Sequence, residues 1–245
     1  MINQLSINPK QEKEKIVDFL KKTFKEQKIT KVILGLSGGV DSTVVLYLFK
    51  EVLPLNNIFV VQMDYNSRKK TNIDLKGVNV VDISIKNIVD QFKVKDSINK
   101  IRLGNIMTRV RMIILFDLAK QLNAMVCGTE NKSEKLLGYF TRFGDAASDI
   151  EPISHLYKTQ IYQLAKYLKV PEQIVNQSPT AGLWDGQTDE GELGFTYSEA
   201  DQVLHLYFDK KKKLEEIIKL GFKNSDKIIK RSLNNQFKLK TPYHL

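Results

Sequence analysis

Short apolar runs alternate with stretches of helical spacing along the first half of the chain. Lys31-Val32-Ile33-Leu34, an apolar, β-branched run, and Ile58-Phe59-Val60-Val61-Gln62-Met63, Val78-Asn79-Val80-Val81-Asp82-Ile83 and Ala124-Met125-Val126-Cys127 each have strand length. Asn8-Pro9 opens a helix, with Asn8 as cap and Pro9 at the first helical position. Ile16, Phe19, Leu20 and Phe24 form its apolar stripe. Thr43 to Lys50 is apolar nearly all round and reads as a buried helix. A turn at Pro54 with Asn56-Asn57 precedes the second strand, a polar loop over Asp64–Thr71 follows it, and a long helical region runs from Ile85 to Leu122. Strand and helix in alternation predict a doubly wound, mostly parallel sheet flanked by helices. Beyond Leu137 the pattern changes. Leu137–Pro152 and Ser178–Phe195 read as irregular, and helices are expected at Lys158–Val170, Ser198–Phe208 (capped by Ser198), Lys211–Leu220 and Ser225–Phe237. The C-terminal part is therefore helical. No second core, repeat or linker stands out, so residues 1–245 read as one domain.

Composition narrows the class. At 245 residues and 42% hydrophobic, the chain can bury a sizeable core. The single cysteine, Cys127, excludes a disulfide within one chain and any multi-cysteine zinc site. No stretch approaches ~20 uninterrupted apolar residues, and Met1–Ser6 lacks an apolar signal core. A cytoplasmic protein without a membrane partner is expected. The net charge of +10 suits either phosphate-rich ligands or a lysine-rich background. The lysines are spread over helix faces with no arginine-rich tract, which favours the background and no nucleic-acid partner. His155, His205 and His244 form no spaced cluster.

Chemistry concentrates where the first strand meets the first buried helix, at Gly35-Leu36-Ser37-Gly38-Gly39-Val40-Asp41-Ser42. Two glycines let the backbone approach a ligand, and the orphan N–H groups of the helix's first turn attract an anion. Ser37 and Ser42 add hydroxyls. Asp41 is out of place beside a phosphate unless it holds a bridging metal ion. The pattern lacks the Gly-Lys of a Walker A loop. It resembles the pyrophosphate loop of the ATP pyrophosphatases, which cleave ATP between its α and β phosphates. Further on, Arg109 and Arg111 lie two apart on a helix, about 200° around its axis. One points into a site while the other is paired or solvated.

Downstream blocks extend the likeness. Arg109, Gly128-Thr129 with Glu134, Tyr139-Phe140-Thr141-Arg142-Phe143-Gly144-Asp145 with Asp149, Tyr157-Lys158-Thr159, and Ser178-Pro179-Thr180-Ala181-Gly182-Leu183-Trp184 with Asp189-Glu190 follow the loop in order. Over nearly its whole length the chain resembles the ammonia-dependent NAD synthetases. That resemblance implies an adenine nucleotide α-hydrolase-like fold and a ligase that forms a C–N bond. Such an enzyme adenylates the nicotinate carboxylate of deamido-NAD with MgATP, and ammonia then displaces AMP. By position, Gly35 to Ser42, Thr129, Lys158 and Thr180 would contact ATP. Asp41 and Glu134 would hold Mg²⁺. Arg109, Arg142, Asp149, Phe237 and Lys238 would hold deamido-NAD. Asp41, Lys158 and Asp149 would carry catalysis. Asn131-Lys132-Ser133 departs from the family pattern and receives no role. A homodimer is implied, with the 98–122 helix as a contact. Glutamine-using relatives carry an added amidase domain with a nucleophilic cysteine, whereas Cys127 lies in an apolar strand, so free ammonia is the expected donor. Two rivals are a tRNA-modifying ATP pyrophosphatase that adenylates a base, and a nucleotide sensor without catalysis. The irregular stretches 138–149 and 178–195 read as lids.

Overall fold

Strands β1 (Lys31–Gly35), β2 (Ile58–Asp64), β3 (Asn79–Ser84) and β4 (Ala124–Cys127) form one sheet, all parallel, in the order β3-β2-β1-β4. The structure is a computed structural model and describes residues 5–66, 73–92, 99–240 and Tyr243. The chain adds β2 and β3 to one side of β1, then crosses to add β4 to the other. Leu34 pairs with Val60 on one side and Cys127 on the other. Strand order thus reverses between β1 and β4, and a crevice opens at their carboxyl ends.

The strand period of two sorts the core into faces. Val32, Leu34, Val60 and Met125 pack with helices α1 (Pro9–Gln27), α2 (Val40–Phe49) and α6 (Lys158–Tyr167). Ile33, Val61 and Val126 pack on the opposite face, against α3 (Lys86–Gln91) and α4 (Lys100–Leu122). Asn8 caps α1 through its side chain, and Pro9 takes the first position, as the sequence predicts.

The C-terminal part departs from expectation. A separate apolar cluster gathers Leu137, Tyr157, Leu193, Phe195, Tyr197, Leu204, Ile217 and Ile228. A second core therefore exists. Its members are spread over several short helices and the loops between them, so no run of apolar residues announces it. These helices are α5 (Lys132–Leu137), α8 (Asp189–Leu193), α9 (Tyr197–Leu204), α10 (Leu214–Lys219) and α11 (Ser225–Asn235); α7 (Glu172–Val175) is a single turn after α6.

Several boundaries move. Helix α9 is capped by Thr196, which accepts from Glu199 N, and not by Ser198. It passes into a π-helical turn over His205–Asp209. The residue three after Thr196 is a glutamate, the spacing a cap favours. The 178–195 stretch, expected to be irregular, contains α8, and Leu137 belongs to α5. The expected 85–122 helical region holds two helices, α3 and α4, and residues 93–98 between them lie outside the described residues, as do 67–72 of the loop after β2 and His244. Among the described residues, no helix is long and apolar enough to cross a membrane.

Candidate active site

The loop after β1 is anchored at both ends by core residues, Leu36 and Val40. Leu36 N donates to Val61 O at 2.9 Å, which continues the strand's path into the loop. Gly38 has φ 85°, a left-handed conformation that a Cβ resists. Ser37 Oγ lies 3.1 Å from Ser42 Oγ and accepts from Gly39 N at 3.2 Å. Thr43 Oγ1 donates to Gly39 O at 2.8 Å. Gly39 caps α2 without a side chain, so the amides of the first turn stay available to an anion.

Asp41, in that first turn, meets residues from two other elements. Lys158 Nζ donates to Asp41 Oδ2 at 2.5 Å and to Glu134 Oε1 at 3.3 Å. Asn131 Nδ2 donates to Asp41 Oδ1 at 2.9 Å. The loop after β1 and the loop after β4 are thus joined across the crevice at the strand switch. Lys158 is only 3% exposed. Burial lowers its pKa, but the carboxylates of Asp41 and Glu134 more than reverse that, and the ammonium stays charged. Burial pushes the Glu134 carboxyl up to about 8, against the pull of Lys158.

Asn131, Lys132 and Ser133, given no role from sequence, build this arrangement. Asn131 caps α5 and forms a capping box with Glu134, which fixes the Glu134 side chain. Ser133 Oγ donates to Asp201 Oδ1 at 2.5 Å and accepts from Lys158 N at 2.8 Å. Asp201 also accepts from Thr159 N, so α5, α6 and α9 meet on one buried carboxylate at the root of Lys158. Lys132 pairs with Asp209 at 2.8 Å. Hydrogen-bonding capacity at a helix start was the sequence signal here, and the departure from the family pattern masked it.

Two buried carboxyls also went unassigned. Glu130 follows Thr129 at the end of β4, is 8% exposed, and has no partner for Oε1. Burial, then the charges of Glu134, Asp145 and Glu151, push it up to about 9. Asp189 is 3% exposed and has no partner for Oδ1.

A second group collects at the far end of α5. Asn105, Arg109, Phe140, Thr141, Arg142, Phe237 and Lys238 line a cavity of about 200 Å³. Arg109 Nη2 donates to Arg142 O at 3.3 Å, and the Arg142 guanidinium lies 5.9 Å from the Phe237 ring centroid. Lys238 Nζ donates to Gly138 O and Phe140 O, so its charge clamps the cavity wall. Arg111 turns away and donates to Met63 O at the end of β2 through Nε and Nη2. The two arginines divide as the helical spacing predicts.

Other expected residues are engaged locally. Asp149 Oδ2 accepts from Val126 N at 2.8 Å, which fastens the 138–149 stretch to β4. Thr180 Oγ1 accepts from Gly182 N. Thr129 follows Gly128 directly beyond β4. His155 bonds Glu12 and His205 bonds Asp209, far from any shared centre. Cys127 is buried, and burial pushes its thiol well up.

The comparisons with known proteins agree in direction. The family model described as NAD synthase matches residues 12–242. The NH(3)-dependent NAD(+) synthetase of Fusobacterium nucleatum is 41% identical, over 98% of this chain and 97% of that protein. The NH3-dependent NAD synthetase of Campylobacter jejuni, solved with nitrate, superposes with a TM-score of 0.81 at 33% identity, covering 98% of this chain and 100% of that one. The NMN synthetase of Francisella tularensis superposes with a TM-score of 0.83 at 31% identity, covering 98% and 99%. With the crevice at the β1/β4 switch and its loop, the chain belongs to the NAD synthase family.

Proposed function

We propose that the protein makes NAD from deamido-NAD, ATP and free ammonia, through an acyl adenylate, releasing AMP and pyrophosphate. A carboxylate is a poor electrophile for amide formation. Attack of its oxygen on the α-phosphorus of ATP forms the acyl–phosphate bond and expels pyrophosphate. Ammonia then adds to the acyl carbon, and AMP leaves. The protein's part is to hold a polyanion, orient the carboxylate and keep water out.

One observation carries this reading. Helix α5 has Glu134, bonded to Lys158, in its first turn, and ends at Gly138, whose carbonyl accepts from Lys238 in the aromatic and cationic cavity. A phosphate site and a cationic, aromatic cavity are therefore coupled through a single short helix. In this reading the Ser37, Gly38, Gly39 and Ser42 groups grip pyrophosphate, and Thr129, Lys158 and Thr180 complete the ATP site. Arg109, Arg142, Asp149, Phe237 and Lys238 hold deamido-NAD. Asp41 and Glu134 would hold Mg²⁺. Their hard oxygens suit that ion, which takes one or two carboxylates and completes its shell with phosphate oxygens and water. Each carboxylate oxygen that accepts from Lys158 or Asn131 does so once, which leaves lone pairs on both residues. When bound, the ion neutralises charge on the departing pyrophosphate.

Residues 1–245 act in this reading as one catalytic domain in the cytoplasm, working as a homodimer. Ile101 and Ile113, 68% and 57% exposed on α4, support a self-contact there.

The test measures ATP conversion to AMP and pyrophosphate with deamido-NAD, nicotinate mononucleotide, tRNA or no addition, with and without ammonia. Turnover that needs deamido-NAD and yields NAD is expected. Preference for the mononucleotide would transfer the reading to NMN synthesis, and stimulation by tRNA or by no second substrate would overturn it.

A further inference from the structure

Lys158 sits where a divalent cation is needed. Its ammonium lies 2.5 Å from Asp41 Oδ2 and 3.3 Å from Glu134 Oε1, and the residue is 3% exposed. A cation arriving on the same two carboxylates would face this positive charge at close range in a poorly hydrated place, where repulsion is strong. An ammonium displaced but still buried at that depth needs another anionic acceptor nearby.

Asp189 offers one. It is 3% exposed, its Oδ2 accepts from Tyr197 Oη at 3.2 Å, and its Oδ1 has no partner. A buried carboxylate oxygen without a donor is costly and calls for a reason. Tyr197, 2% exposed, is the wall the two residues share. Lys158 Nζ lies 5.4 Å from its ring centroid, while its hydroxyl bonds Asp189. The path between the two positions runs over an aromatic face, which favours a cation, and a lysine's flexible four-carbon stem allows the swing. Asp189 itself is held by its backbone, N donating to Pro179 O at 2.9 Å. Neighbouring acids are occupied: Glu190 accepts from Tyr197 N, and Glu192 from Tyr139 Oη. Among the described residues no three acidic, histidine or cysteine side chains converge to hold a metal ion.

We propose that, before ATP is bound, Asp189 is a positioning residue that receives the Lys158 ammonium when a divalent cation takes its place between Asp41 and Glu134. The proposal rests on the metal reading given above. Loading of the ion and relocation of Lys158 are then one event.

The test is calorimetric titration of Mg²⁺ into nucleotide-free protein. Five proteins are compared: wild type, Asp41→Asn, Asp189→Asn, Lys158→Gln and the Asp189→Asn/Lys158→Gln double variant. Wild type binds and Asp41→Asn does not. Asp189→Asn weakens binding about tenfold, the size of one lost charge-assisted hydrogen bond. Lys158→Gln, with no ammonium to move, binds more tightly than wild type, and adding Asp189→Asn to it changes nothing. An Asp189→Asn affinity within about twofold of wild type, or an equal loss in both backgrounds, overturns the exchange while leaving the metal reading standing. Undiminished binding by Asp41→Asn overturns the metal reading and the exchange together. If Lys158→Gln does not fold, side-chain ¹⁵N spectra of lysine-labelled protein decide. Mg²⁺ moves the buried ammonium signal in wild type to a position that Asp189→Asn abolishes, and the same Mg²⁺ shift in both proteins overturns the exchange.

Discussion

Gly138→Ala probes the joint between the two halves of the site. Gly138 ends α5 with φ 63°, its N–H bonds back to Glu134 O and Lys135 O, and its carbonyl accepts from Lys238 at 2.6 Å. A methyl group there would lie 2.2 Å from Asn235 Cβ. That atom is fixed to the backbone of α11 and has no rotamer by which to withdraw. Left-handed backbone costs an alanine about 1–2 kcal/mol, and overpacking a further 1–3 kcal/mol. The sum is about 2–5 kcal/mol, a fall in Tm of roughly 5–15 °C for a chain of this size. Gly182→Ala separates the two contributions, because Gly182 has φ 62° but nothing within 4 Å of an added Cβ. It should lose only about 1–2 kcal/mol. Urea unfolding followed by circular dichroism gives both values, and KM for deamido-NAD should rise in Gly138→Ala as Lys238 loses its carbonyl. Equal losses in the two variants would refute the packing argument.

Asp41→Asn should abolish Mg²⁺-dependent AMP formation while the protein still folds, with a lower melting temperature because the buried Lys158 ammonium loses one of its two carboxylate partners. Glu130 titrates near 9 in the folded protein against an ordinary 4.5. The stability linked to its protonated form is therefore complete below pH 4.5 and is lost as pH rises toward 9. Glu130→Gln should accordingly match wild type near pH 4 and exceed it by about 2–4 kcal/mol at pH 8, read from urea midpoints. Cys127→Ser should keep ammonia-dependent turnover and lose about 1–2 kcal/mol of stability, since the buried thiol only donates to Gly128 O. Arg142→Ala should raise KM for deamido-NAD about 10–100-fold with a smaller change in kcat, because it removes a charged contact stacked on Phe237.

Much of the molecule was legible in local pattern. Three of the four strands are nearly continuous apolar runs and β3 mixes apolar and polar positions, and the boundaries of all four agree with the structure to within a residue. The Asn8-Pro9 start is local chemistry and needs nothing distant. So is the anion loop, whose glycines and hydroxyls act on their own backbone. The opposite facing of Arg109 and Arg111 follows from helix geometry alone.

Local pattern alone specified a parallel sheet, a phosphate loop and a family likeness. Which distant residues share a charge depends on how the elements pack. Asp41 and Lys158 are separated by 117 positions, and their bond depends on β4 pairing with β1 so that both loops open on one crevice. The C-terminal core is not legible locally because its apolar residues are spread over several short helices whose partners lie far along the chain. Asn131 and Ser133 looked idle for the same reason. Whether a small polar side chain is solvated or joins a buried network depends on what packs over it, and here that is Asp201, 68 residues beyond Ser133. Local periodicity reports backbone preference and burial, whereas hydrogen-bond partnership across a core is set by topology.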